Sequence, residues 1–188
     1  MTQERFPEIA PEAMSPAQTA MVQAIAAGPR GAGLRGPFKA LLQSPQLGTL
    51  VQAVGAYIRY DSAIPRALNE MAILMAGRKW NAQYEFYAHR KLGIAAGMRA
   101  EIADAIALGQ RPVEMSEDEA MVYDFANELL TTTEVSDASF ARVKHRFGAQ
   151  GVLDLVGAVG YYSLVSMILN VDRVQLPAGE TPPLKKLP

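Results

Sequence analysis

The stretch "RALNEMAILMAGRKWNAQYEFYAHRKLG", Arg66 to Gly93, decides the fold. Leu68, Met71, Ala72 and Met75 fall at i, i+3, i+4 and i+7, the spacing of one helix face, and from Met71 to Ala76 every position is apolar. A helix apolar all round belongs in an interior. Ala82, Glu85, His89, Gly93 and Ala96 then repeat at threes and fours, which marks a second helix.

Outward from this pair, the punctuation is helical throughout. Ser15-Pro16 opens a helix to about Ala27, stopped by Gly28-Pro29, and Ser44-Pro45 opens another to about Tyr60. Ser62 is expected to cap the Arg66 helix and Asn81 the next, which runs through His89 to about Gly97. Arg99 to Leu108 makes a short helix, and Ser116 with Glu119 forms a capping box for one ending near Leu130. The last two cover about Asp137–Phe147 and Gly151–Asn170. The expected fold is all-α, a compact bundle of about eight helices in one domain over residues 1–188, with extended arms at 1–15 and 176–188. The final helix, with Gly157 and Gly160 among Leu155, Val156, Val159 and Leu164, must be covered on every side, within the subunit or between subunits.

Composition narrows the function. The chain has 188 residues, 49% hydrophobic, with a net charge of −1 and no basic block, so nucleic acid and anionic membranes have no electrostatic draw. It has no cysteine, which removes disulfides, thiolate metal sites and every thiol mechanism. The run Leu155 to Leu169 falls short of the roughly 20 residues a bilayer needs. The first residues, "MTQERFPEIAPEAMSPAQ", lack the apolar stretch of a signal peptide, so a cytoplasmic location is expected. "GAGLRG", Gly31 to Gly36, matches G-x-G-x-x-G but follows a helix rather than a strand, so it is not a dinucleotide site. It is either a plain glycine loop or, through Arg30 and Arg35, a rim that attracts anionic substrates.

Glu70, Glu85 and His89 are the chemical candidates. Glu85 sits one turn before His89 and is placed to raise its pKa, making it a proton donor near neutral pH. Glu70, at the start of the apolar helix, pairs with Arg66 at i−4 or orients His89 from the facing helix. Ala82, Gly93 and Ala96 leave room beside the imidazole, and Tyr84, Phe86 and Tyr87 offer walls. His145 has basic neighbours and reads as solvated; two histidines on separate helices give no basis for a metal site, and no cofactor is expected.

"RALNEMAILMAGRKWNAQYEFYAHRKLGIAAGM" resembles the carboxymuconolactone decarboxylase family, which includes the alkyl hydroperoxidase D-like proteins. The likeness rests on Glu70 in "E-x-A-I-L", on "Y-E-F-x-x-H" ending at His89, and on the small residues running to Gly97. The segment from Val135 to Asn170 also looks like the family's C-terminal part, so the likeness covers roughly residues 35–175. It implies an all-α bundle assembled as a homo-oligomer, a trimer or hexamer. The hydroperoxidase branch carries C-x-x-C with a histidine four residues on; those positions here are Ala82 and Glu85, so thiol peroxidase activity is not expected. The decarboxylase branch needs no cysteine, and Glu70, Glu85 and His89 match what remains. The N-terminal segment containing "GPRGAGLRGPF" departs from the short decarboxylases.

The resulting expectation is a lyase acting on a small anionic substrate, a carboxylated lactone or keto acid of aromatic catabolism. His89 moves the proton, Glu85 tunes it, Glu70 orients it, and Tyr84 donates to the developing oxyanion. Arg59 or Arg66 holds a substrate carboxylate, and Trp80 joins the binding residues. Isomerisation or hydrolysis of a lactone would use the same groups. The alternatives are a non-catalytic oligomer with a structural Glu–His pair, or a peroxidase relative without its thiols.

Overall fold

In a computed structural model that describes residues 4–185, the chain folds into eight α-helices, is 66% helical, and has no strand among the described residues. A short 3-10 turn at Pro11–Ala13 precedes α1 (Pro16–Ala27), α2 (Phe38–Leu41), α3 (Pro45–Tyr60) and α4 (Arg66–Lys79). They are followed by α5 (Gln83–Ala95), α6 (Ala100–Ala107), α7 (Glu117–Thr131) and α8 (Asp137–Asp172).

Local chemistry sets the ends. Ser15 Oγ accepts from Gln18 N while Gln18 Oε1 accepts from Ser15 N at 2.8 Å, a capping box repeated by Ser116 and Glu119 on α7. Such a cap stabilises a helix by about 1 kcal/mol. Two expected caps are displaced. The ring of Pro65 disfavours helical backbone at Ile64, so α4 starts at Arg66, and Ser62 Oγ instead accepts from Ile64 N at 3.1 Å. Asn81 takes a left-handed φ of 50° to reverse the chain between α4 and α5, which leaves Ala82 as the N-cap of α5. The break expected after Phe147 is a kink in α8 at Gly148, whose φ of 72° is open to glycine and costly for other residues.

Helix α4 is the axis. Every residue from Leu68 to Arg78 is buried, and α5, α6, α7 and α8 all pack on it. Leu68, Met71, Leu74 and Met75 join Phe86, Phe125, Val122 and Leu155 on one side, while Ile73 and Ala76 meet Met21, Ile58, Tyr161 and Tyr162 on the other. Burying a side chain such as Leu74 or Phe86 contributes about 2–3 kcal/mol, which is why an all-apolar helix becomes the centre.

Within the single chain α8 is not covered all round: Leu153, Val156, Met167 and Val171 remain exposed along it, which leaves that side to cover from another subunit. By length and composition α8 would suffice to cross a membrane, but 56% of its most apolar window is buried against the bundle. The described parts of both arms are tied down. Arg5 N and Phe6 N donate to buried Asp172, and Leu184 exchanges hydrogen bonds with the Gln83 amide. Residues 1–3 and 186–188 of the expected arms lie outside the described residues.

Candidate active site

Helices α4 and α5 bring Glu70, Glu85 and His89 into one buried group. His89 Nδ1 lies 2.6 Å from Glu70 Oε2, and Nε2 lies 3.0 Å from Glu85 Oε1. The second contact is close enough for an ion pair but poorly aligned, so Glu85 Oε1 has no in-line hydrogen-bond donor. Glycines permit the close approach. A Cβ on Gly93 would meet the Met98 methyl at 2.5 Å and Glu70 Cβ at 3.3 Å, and one on Gly77 would touch the Glu85 side chain. The small residues of α5 therefore seat it on α4 rather than leaving room beside the imidazole, as the sequence suggested.

Burial alone would push the His89 pKa down. The charge of Glu85 and the hydrogen bond that Nδ1–H donates to Glu70 outweigh that and raise it to about 9, which favours the imidazolium at neutral pH. Glu70 does not pair with Arg66: its carboxylate turns inward to α5, while Arg66 stays exposed in the first turn of α4.

His89 and Glu85 line a cavity of about 370 Å³, closed by Tyr84, by Tyr161 and Tyr162 of α8, and by Arg59 and Tyr60 of α3. Glu70 lies behind His89, outside that lining. The loop between α1 and α2 contributes Arg30, Arg35 and Gly36, so the glycine segment is a wall of the site rather than a bystander. Tyr162 stacks edge-on to His89 with centroids 4.7 Å apart, and Tyr161 stacks on Tyr162 at 5.0 Å. Burial raises the pKa of Tyr84 and of Tyr162, and that of Tyr161 to about 12, so these phenols stay protonated and can donate. Among the described residues none of Arg30, Arg35 and Arg59 forms a salt bridge. Three unpaired guanidiniums beside one net-negative Glu–His–Glu group favour an anionic guest.

Of the residues expected at the site, His89, Glu85, Tyr84 and Arg59 line the cavity and Glu70 supports it. Arg66 and Trp80 do not reach it. Trp80 ends α4 just before the reversal at Asn81, with its carbonyl accepting from Asn170 and its ring partly in solvent. Phe86 is fully buried in the core, and Tyr87 faces outward to Glu180 of the C-terminal arm. His145 is exposed, as expected. Tyr60, Tyr161 and Tyr162 were not singled out in the sequence; two adjacent phenols interrupting the apolar run of α8 were the available signal. No group of three or more His, Asp or Glu side chains is arranged to hold a metal ion among the described residues. A larger cavity of about 550 Å³, beside Arg78 and Tyr123, is lined by no histidine or carboxylate and so has no group titrating near neutrality.

No family model and no curated protein sequence matches the chain. A solved structure does: a protein of unknown function from Agrobacterium tumefaciens, described with a suggested role in antioxidant defence as AhpD. It superposes with a TM-score of 0.65 at 16% sequence identity, over 77% of this chain and 99% of that one. The fold is therefore alkyl hydroperoxidase D-like, the all-α architecture that the Arg66–Met98 stretch led us to expect.

Proposed function

We propose that the chain is a cysteine-free enzyme that moves a proton at a small carboxylated lactone or keto acid, in the manner of a carboxymuconolactone decarboxylase. The single observation that carries this reading is His89, held between Glu70 and Glu85 at the wall of an arginine- and tyrosine-lined cavity.

In decarboxylation the C–CO2 bond breaks, CO2 leaves, and the electron pair moves into the adjacent carbonyl as an enolate. Tyr84 or Tyr162 donates to that oxygen as charge develops. The proton on His89 Nε2, the nitrogen on the Glu85 side, then passes to the carbon that lost CO2, and the neutral imidazole regains a proton from solvent. Glu70 holds Nδ1–H, fixing the ring and favouring its charged form. The antioxidant role suggested for the solved relative does not carry over by a thiol route, because this chain has no cysteine.

Assembly belongs to the same reading. Leu47, Leu50 and Val54 form an exposed stripe on α3, beside the exposed Leu153 and Val156 of α8, and a 2.9 Å hydrogen bond from Tyr57 to Asp154 ties the two helices together. A second copy of this chain is the partner we assign to that face, giving the homo-oligomer that the family resemblance implies.

The test is CO2 release from a panel of carboxylated lactones and β-keto acids by wild type and His89→Ala. The expected result is release by the wild type that falls roughly 100- to 10,000-fold in the variant, the range for a lost general acid. Full turnover by His89→Ala would remove His89 from the chemistry.

A further inference from the structure

We infer that Arg30 and Tyr161, seated against the bare backbone of Gly55, form an anion subsite that holds a carboxylate the reaction does not break. This rests on His89 marking the reacting end of the cavity.

Three elements meet at one point. Gly55 is buried in α3, Tyr161 lies on α8, and Arg30 follows α1. A Cβ added at position 55 would sit 2.0 Å from Tyr161 Oη and 2.3 Å from Arg30 Nη2. The phenol and the guanidinium thus come together against bare backbone, in space that any other residue would fill. Arg30 lies over the Phe38 ring at 5.2 Å; its buried Nε has no hydrogen-bond partner, and its Nη2 lies beside the Tyr161 hydroxyl. Tyr161 keeps its proton and is a second donor to the same region. Donors converge, the charge is positive, and no carboxylate among the described residues answers it. An oxyanion satisfies all of these at once.

The position of this point decides which carboxylate it holds. Tyr161, Tyr162 and His89 stand in a row of edge-on rings, with the Arg30 subsite at one end and the imidazole at the other. A carboxylate at Arg30 is an anchor, separated from the carbon that His89 protonates. The guest is a small carboxylate whose body lies along the tyrosines, with its reacting carbon away from the anchored group.

The experiment is calorimetric titration with benzoate, phenylacetate and 3-phenylpropionate, each beside its uncharged primary amide. It uses wild type, Arg30→Gln, Tyr161→Phe and Gly55→Ala, all checked for folding by circular dichroism. The expected wild-type result is at least one acid bound tenfold or more tighter than its amide. Arg30→Gln should bring that ratio to threefold or less, and Gly55→Ala, whose methyl collides with the Tyr161 hydroxyl and the Arg30 guanidinium, should do the same. Tyr161→Phe removes one oxygen and no volume, so it tests the subsite even if Gly55→Ala misfolds; it should at least halve the ratio. Acids bound no better than amides by wild type, or an unchanged ratio in Arg30→Gln and Tyr161→Phe, would overturn the subsite. Binding is read without turnover, so the two readings fail separately. Lost discrimination leaves the proton-transfer reading to its own test, and full turnover by His89→Ala with discrimination intact rejects the chemistry while keeping the subsite.

Discussion

His89 on α5 is held by Glu70 on α4 through a 2.6 Å contact to Nδ1, so the charge at the site depends on the packing of two helices and not on one. Replacing Glu70 by Gln keeps the shape and removes the charge. His89 then titrates below its present value of about 9, because burial, which pushes the pKa down, loses one of its two opponents. Carbon-edited NMR of the imidazole against pH reads this directly. Activity should fall roughly 10- to 100-fold in kcat, the usual cost of losing a supporting carboxylate, with KM little changed. An unmoved titration would show that Glu85 alone sets the charge.

The same shift predicts how stability depends on pH. The unfolded imidazole titrates near 6.5 and the folded one at about 9. A raised folded value means the contribution is fully present below about pH 6.5 and is lost as pH climbs through about 9. The shift corresponds to about 3 kcal/mol at most. Thermal melts of the wild type should therefore decline between pH 7 and pH 10 by more than those of His89→Gln. Parallel curves for the two proteins would contradict the ion-paired group.

Gly148→Ala tests the kink. At φ 72° and ψ −179°, a region essentially restricted to glycine, an added Cβ meets nothing within 4 Å, so the whole cost is backbone strain, about 1–3 kcal/mol. Urea unfolding should show a lower midpoint with an unchanged slope, since the exposed area on unfolding stays the same. A neutral result would mean that the two segments of α8 can straighten into one helix.

Leu50→Lys tests assembly. Leu50 is 68% exposed in the single chain, so a lysine there costs the isolated fold little. If a second copy covers the α3–α8 face, light scattering should report a homo-oligomer for the wild type and a smaller species for the variant. The same mass for both would assign the apolar face to another partner.

Some of the site was legible in the sequence for a local reason. Glu85 and His89 are one turn apart on one helix, so a spacing rule suffices to pair them. Glu70 was ambiguous because a carboxylate at the start of a helix has a neighbour at i−4 in Arg66 and another across a gap in His89. Burial decided for His89, since an interior carboxylate takes the partner that is interior with it. Arg59 reached the cavity and Arg66 did not, although both flank the same connection; α3 presents the first toward α8, while the second stands at the exposed start of α4.

The sequence by itself determined α1 and α3 to α7, the helical character of α8, their order and which of them is central, but not the four-residue α2 or the continuity of α8 across Gly148. Caps, prolines and apolar periods act over a few residues and are written where they act. What only the tertiary structure decided is the cavity: Tyr161 and Tyr162 from α8, Arg30 from the glycine loop, and the bare backbone of Gly55 against which Arg30 and Tyr161 sit come from positions far apart in the chain. No local rule joins them. Their meeting follows from how α1, α3 and α8 pack around α4, and packing is a property of volumes in contact rather than of spacing along the chain.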